Sequence, residues 1–155
     1  MQRTLKKEFT LRISQANRTE LTVIILEMAI AYLESAEQAE SAETYRMEIA
    51  RARKCVDELK KSLNFQYEIA GTLLHLYIHI NKLLVRAMIS RKKDYLSRAK
   101  ETLIRLKDAF AKVAEEDHSE PMLENTQTVY AGYTYGKTDL NENLDNNSSG
   151  RGFLV

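Results

Sequence analysis

The chain of 155 residues carries 23 basic and 22 acidic side chains, and a net charge of +1 gives no general attraction for nucleic acid or an anionic membrane surface. Its single cysteine, Cys55, excludes an internal disulfide and is typical of a reducing cytosol. No apolar run approaches the ~20 residues that span a bilayer, and the N-terminal residues lack the apolar core of a signal peptide. We therefore expect a cytoplasmic protein that inserts into no membrane and binds no nucleic acid.

The first residues predict a short amphipathic helix over residues 3–13. Leu5, Phe9 and Ile13 recur every four residues, which places them on one side of the helix. A helix of this length is only marginally stable alone in water. It therefore either frays or docks on the rest of the protein, where these three side chains would form a movable cover over an apolar groove.

The stretch from Asn17 to Leu33 predicts a long helix that is too apolar for an ordinary surface helix. Asn17 followed by Glu20 is a capping-box pattern, and we expect the helix to run over residues 18–39. One apolar stripe contains Leu21, Ile24, Ile25, Met28 and Tyr32. A second stripe, on another side, contains Val23, Leu26, Ile30 and Leu33. Two stripes indicate either burial on all sides or a second surface kept for a partner.

Three further long helices are predicted over residues 42–63, 67–89 and 94–116. The first and last of them each carry one apolar stripe, as expected for a helix with one solvated face. The middle helix carries a main stripe and a second stripe to one side. This second stripe contains Leu74, Ile78, Val85 and Ile89.

Four helices of ~20 residues joined by short turns predict an antiparallel up-down four-helix bundle over residues 17–117, preceded by the short helix in residues 1–16. The first and third long helices are then diagonal, so their second stripes open on opposite sides. Leaving these eight aliphatic side chains in water would forgo on the order of 10–20 kcal/mol. A wrapping partner, the N-terminal helix, the C-terminal residues or a second copy of the chain could cover them.

The composition changes after Asp117. Residues 118–155 contain four of the five glycines, the only proline and the polar run NENLDNNSSGRG, which buries too little apolar surface to order itself. We expect a flexible, mostly irregular tail. It is either a plain extension or a substrate mimic, in which Phe153, Leu154 and Val155 cover a groove until a partner displaces them.

No group of residues forms a convincing catalytic or metal site. His75 and His79 share a helical face, but Lys82 and Arg86 accompany them and repel a metal ion. Glu115 and His118 match only half of a di-iron helix signature, which needs two such pairs. No phosphate loop or nucleophile elbow occurs. We therefore expect no enzyme activity, no cofactor and no metal.

Several segments, in the same order and at similar separations, resemble the FliS family of flagellar export chaperones from about Ile13 to Glu116. The first long helix opens on Asn17-Arg18-Thr19-Glu20-Leu21-Thr22, without the proline usual in the family. Later matches are Ala52, Val56, Glu58, Leu59 and Leu63, then Tyr67-Glu68-Ile69-Ala70, Leu73, Leu76-Tyr77, and finally Leu103, Leu106, Ala109 and Phe110.

The resemblance implies a cytoplasmic chaperone that binds the disordered C-terminal segment of flagellin. Such a protein prevents premature polymerisation and aids delivery to the flagellar type III export gate. On this basis we predict two flagellin grooves, one formed by Val23, Leu26, Ile30 and Leu33 and the other by Leu74, Ile78, Val85 and Ile89. Leu5, Phe9 and Ile13 would form the groove cover.

An alternative stays open for the same apolar stripes. They could be additional core, or they could join two copies of the chain in a structural helical protein. The protein would then be a homodimer, whereas the chaperone interpretation predicts a monomer or a weak homodimer.

Overall fold

The computed structural model describes residues 2–123, which form five α-helices and no strand. The helices are α1 (Arg3–Gln15), α2 (Arg18–Glu37), α3 (Ala42–Lys61), α4 (Ile69–Ser90) and α5 (Lys93–Glu116). The expected all-α class is confirmed, and every helix end lies within two residues of the predicted one. The predicted tail beyond residue 123 lies outside the described residues.

Local hydrogen bonds explain where two of the helices begin. The side chain of Asn17 accepts a hydrogen bond from the Glu20 N–H, and Glu20 Oε1 accepts one from the Asn17 N–H, each at 2.9 Å. This is the capping box that the sequence predicts. Ser41 begins α3 in a similar way, because its Oγ accepts a hydrogen bond from the Thr44 N–H at 3.0 Å.

The connection between α4 and α5 consists of Arg91 and Lys92. Arg91 has φ 57°, in the left-handed region, and its N–H donates to the carbonyl of Ala87 at 2.9 Å. This conformation ends a helix by satisfying one of its last carbonyls. The Arg91 guanidinium lies 5.2 Å from the centre of the Tyr45 ring, which ties the connection to α3.

The four long helices share one hydrophobic core. α2 packs against α3 and α5, and α4 packs against the same two helices. The largest fully buried side chains come from all four of these helices: Leu26, Leu33, Ile49, Val56, Leu59, Tyr77, Ile80, Leu84 and Leu103. α1 lies outside this core and packs on α2.

Candidate partner-binding site

The second stripe of α4 is accessible along its whole length. Ile89 is 80% exposed and Ile78 is 37% exposed, while Leu74 and Val85 are half-buried. These four residues are spaced so that they lie on one side of α4. We call them the α4 face. The structure thus leaves the α4 face accessible, which is one of the two surfaces that the sequence analysis predicts to bind a partner.

Ile78 and Val85 also line a groove of about 370 Å³ between α3 and α4. We call it the α3–α4 groove. Its remaining lining is polar, and most of it is basic: Arg53, Asp57, Lys60, Asn81, Lys82 and Arg86. Four cations and one carboxylate surround two aliphatic side chains, so the groove combines an apolar floor with a positive rim.

Asn81 is a polar residue in the middle of the α4 face, and the sequence reasoning missed it. Its side chain is buried (7% exposed), and its Nδ2 donates to Asp57 Oδ1 at 2.9 Å. Lys60 Nζ lies 3.1 Å from the same Asp57 oxygen. The Oδ1 atom of Asn81 and the buried Nε of Arg53 have no hydrogen-bond partner within residues 2–123. Both atoms are themselves buried, so neither is open to a molecule in the groove.

The predicted groove on α2 is not open in this structure. Leu26 and Leu33 are fully buried and Ile30 is 9% exposed, because α2 is covered by α3 on one side and α5 on another. These three residues are core residues, which corrects their prediction as an exposed groove. Only Val23 is half-buried, and it lines a shallow depression between α1, α2 and α5 together with Arg12 and Ala111.

The N-terminal helix covers a different part of α2 from the predicted stripe. Phe9 is buried, and Leu5 and Ile13 are half-buried. Together with Leu21, Ile24, Met28 and Ala31 of α2, they form a small second apolar cluster. Leu5, Phe9 and Ile13 therefore do dock on α2, whereas their movement away from it stays a prediction.

A second exposed apolar surface lies at the connection between α3 and α4. Phe65, Tyr67 and Ile69 are each more than 60% exposed, and we call them the end patch. Tyr67 and Ile69 line a depression whose floor includes Leu21, Ile25 and Phe110. The spacing of Ile69 fits the main apolar stripe of α4, but α4 begins two residues later than predicted and leaves Ile69 at the open helix end. The sequence does carry a signal for this patch, because Phe65, Tyr67 and Ile69 occupy alternate positions at the connection.

The residues after α5 fold back onto the start of α2. Asn17 Nδ2 donates to the carbonyl oxygens of Asp117 and Ser119, at 3.1 and 3.4 Å. The Thr19 hydroxyl donates to Asp117 Oδ2 at 2.5 Å, and the Met122 N–H donates to the Ala16 carbonyl at 3.0 Å. Hydrogen bonds from Ser119 and Thr19 lower the pKa of Asp117 to about 2. Residues 117–122 thus form a latch across the junction of α1 and α2.

The described residues provide little for catalysis or metal binding. His75 and His79 are exposed, and no group of three or more His, Cys, Asp or Glu side chains within residues 2–123 could hold a metal ion. Burial raises the pKa of the Cys55 thiol to about 11, so the nucleophilic thiolate is scarce at neutral pH. None of α1–α5 is long and apolar enough to cross a membrane.

Comparison with known proteins supports the resemblance seen in the sequence. The family model described as Flagellar protein FliS matches residues 1–117, which include α1–α5. A search of curated proteins finds no match. The family match covers well over half of the chain, and it spans the residues that form the α4 face, the α3–α4 groove and the end patch. The chain belongs to the FliS family of flagellar proteins.

Proposed function

We propose that this protein is a cytoplasmic export chaperone that binds the disordered C-terminal segment of flagellin. Membership of the FliS family implies a flagellar chaperone. In our proposal the bound segment cannot polymerise prematurely and is delivered to the flagellar type III export apparatus. Neither a metal nor a cofactor takes part, since the work of such a chaperone is the burial of apolar surface.

We further interpret α2–α5 as an antiparallel up-down four-helix bundle with α1 as an additional short helix. The connections between these long helices span residues 38–41, 62–68 and 91–92. Connections this short favour antiparallel neighbours, and the pairs of helices in contact fit that arrangement. This topology presents the α4 face on the side opposite α2.

The observation that carries the proposal is the exposure of the α4 face. Ile89 and Ile78 remain accessible on one side of α4, beside the half-buried Leu74 and Val85. Fully burying a side chain of this size stabilises a complex by roughly 1.5–3 kcal/mol relative to leaving it in water. A segment that becomes helical on this surface would gain that energy, which is the usual mode of coupled folding and binding. The end patch offers a second place for the same wrapping segment.

The N-terminal helix provides a second element of the proposed mechanism. α1 packs on α2 through a small cluster centred on Phe9, outside the main core. Its displacement would expose Leu21, Ile24 and Met28 without opening the core. We propose that α1 acts as a removable cover for part of the flagellin-binding surface.

The proposal is tested by titration calorimetry with a peptide of the flagellin C-terminal segment. We expect one-to-one binding with a large negative heat-capacity change, because apolar area is buried as the peptide folds. Ile89→Asp should abolish or strongly weaken binding with an unchanged melting curve. Val113→Asp is the matched control, since Val113 on α5 is also exposed (56%) but lies off the α4 face. Absence of binding to the wild-type protein would overturn the proposal.

The α4 face would also suit a homodimer contact, and the same protein samples distinguish the two cases. Mass in solution should remain that of a monomer on dilution from high concentration. A tight dimer that Ile89→Asp converts to monomers, together with no flagellin binding, would support the structural alternative.

A further inference from the structure

We propose that residues 129–135 of the same chain dock into the depression beside the end patch, so that a partner must displace them before it can use this surface. The depression holds about 330 Å³ between the first half of α2, the α3–α4 connection, the first half of α4 and the second half of α5. The docking does not rest on the proposed function, whereas the identification of flagellin as the displacing partner does.

The lining of the depression combines apolar side chains with polar ones. The half-buried residues Leu21, Ile25 and Phe110 contribute apolar surface, and the exposed residues Arg18 and Asn64 contribute polar atoms. Among residues 2–123, Arg18 is the only charged residue that lines the depression. A side chain with an apolar body and an uncharged polar tip suits such a lining, and tyrosine is a side chain of this kind.

The latch holds the chain at this depression. Met122 is one of the lining residues, and its N–H donates to the carbonyl of Ala16 at 3.0 Å. The residues that follow Leu123 therefore continue from a point that is fixed beside the depression. Val129 lies six residues after Leu123, so even a fully extended chain keeps it within roughly 20 Å of Leu123.

The first apolar residues after Leu123 form a tyrosine-rich segment. Residues 124–128 are ENTQT, and residues 129–135 are VYAGYTY, which contain three tyrosines, a valine and no charged residue. Tyrosine rings supply a large contact area at a low cost in side-chain entropy. The side chains that suit the depression thus occur directly after a short polar connection.

The distance along the chain favours this segment over the apolar residues at positions 153–155. Val129 lies six residues after Leu123, whereas Phe153 lies 30 residues after it. The effective concentration of a tethered segment falls roughly as the −3/2 power of the length of its tether, so a tether five times as long lowers it about tenfold. We therefore assign the depression to residues 129–135.

Methyl NMR of the full chain tests the docking, because a tyrosine ring shifts the resonance of a methyl group that it contacts. The tyrosine variant carries three substitutions: Tyr130→Ser, Tyr133→Ser and Tyr135→Ser. We expect the δ1 methyl signals of Ile25 and Ile69, which both line the depression, to move in this variant. The signals of Ile78 and Ile89, which lie on the α4 face outside the depression, should stay in place.

Two controls identify the occupant. Phe153→Ser combined with Leu154→Ser should leave the signals of Ile25 and Ile69 unchanged, and a shift in this variant instead would assign the depression to residues 153–155. The shifts in the tyrosine variant should not depend on protein concentration, since such a dependence would mean that the segment comes from a second copy. Either of these contrary results, or unchanged signals in the tyrosine variant, would overturn the proposal.

Substitutions in the depression locate the contact. In a protein that carries Ile69→Asp, the three serine substitutions should no longer move the Ile25 signal, because a carboxylate at this position opposes the docking of the rings. In a protein that carries Ile89→Asp, they should move it as before. Both isoleucines are largely exposed, so melting curves should show that both proteins keep their fold. An undiminished shift in the Ile69→Asp protein would contradict docking at the end patch.

Titration with the flagellin C-terminal peptide tests the displacement. The tyrosine variant should bind the peptide several-fold more tightly than the wild-type protein, because a larger fraction of its molecules has an open depression. Equal affinities would overturn the displacement. If the peptide binds neither protein, the proposed function fails, and the methyl signals alone then decide whether residues 129–135 occupy the depression.

Discussion

Arg12 on α1 and Glu27 on α2 form an ion pair with 2.5 Å between Nη2 and Oε2, and it is the charged part of the contact that holds α1 in place. Both side chains are about one-third exposed, so the pair contributes at most about 1 kcal/mol. The apolar side chain of Phe9, which is almost fully buried, therefore dominates the attachment of α1.

Phe9→Ala should release α1 while leaving the core intact. Loss of a buried phenyl ring costs about 3–5 kcal/mol in a rigid core, but α1 can detach without opening the contacts between α2 and α5. Hydrogen exchange should show α1 amides losing their protection while those of α2–α5 keep theirs. Leu11→Ala, at an exposed position of the same helix, is the control and should change neither. A uniform loss of protection in all five helices would contradict the view of α1 as a separable cover.

Leu26→Ala should lower the free energy of unfolding by about 2–5 kcal/mol, because it leaves a cavity among α2, α3 and α5. Ile89→Ala should change that free energy by no more than about 0.5 kcal/mol, because its side chain is already mostly in water. Urea denaturation of the two variants measures the difference. Equally small changes in the free energy of unfolding in both variants would mean that Leu26 is exposed, as the predicted α2 groove requires.

The contrast between these two residues shows what the sequence can and cannot predict. The positions of the helices follow from local signals, such as the capping box at Asn17 and the apolar spacing in α3 and α5. Periodicity also identifies both stripes of α2 and both stripes of α4. It does not say how many neighbours a helix has: α2 contacts three other helices, so Leu26 is covered, whereas Ile89 is not.

Asn81 was missed for a related reason. A single amide within an apolar spacing is indistinguishable in sequence from a solvated residue at the edge of a stripe. Its burial depends on Asp57, which lies 24 residues earlier and becomes a neighbour only when α3 packs against α4. No local sequence pattern predicts a long-range pair of this kind.

Gly71→Ala should raise the free energy of unfolding by roughly 0.5–1 kcal/mol. Gly71 lies within α4, where glycine costs backbone entropy, and a Cβ atom added there would meet nothing within 4 Å. The substitution therefore reduces the conformational entropy of the unfolded chain without creating a clash in the folded protein. Urea denaturation measures the change in the free energy of unfolding. A decrease would mean that the added methyl group meets an atom outside residues 2–123.

Asp117 should make the latch sensitive to acid. Its pKa falls from an ordinary value of 3.8 to about 2 in the folded protein, chiefly because Ser119 and Thr19 donate hydrogen bonds to the carboxylate. The stabilisation is fully present above pH 3.8 and is lost as the pH falls through about 2. Hence the difference in stability between the wild-type protein and Asp117→Asn should shrink across this interval.

The matched control for this experiment is Asp94→Asn. Asp94 is an exposed carboxylate in the first turn of α5, 3.7 Å from Arg98, and it makes no comparable set of hydrogen bonds with residues 2–123. If the difference in stability between Asp117→Asn and the wild-type protein does not change with pH, the latch does not depend on the charge of this carboxylate.

Asn17 serves two parts of the chain that are made at different times. Its Oδ1 accepts a hydrogen bond from the N–H of Glu20, three residues away, whereas its Nδ2 donates to the carbonyls of Asp117 and Ser119, which are 100 and 102 residues away. The side-chain amide of Asn17 thus has one of its three partners nearby in the sequence, and it acquires the other two only after α5 has been synthesised. The junction of α1 and α2 consequently cannot be closed until the residues that follow α5 have been synthesised.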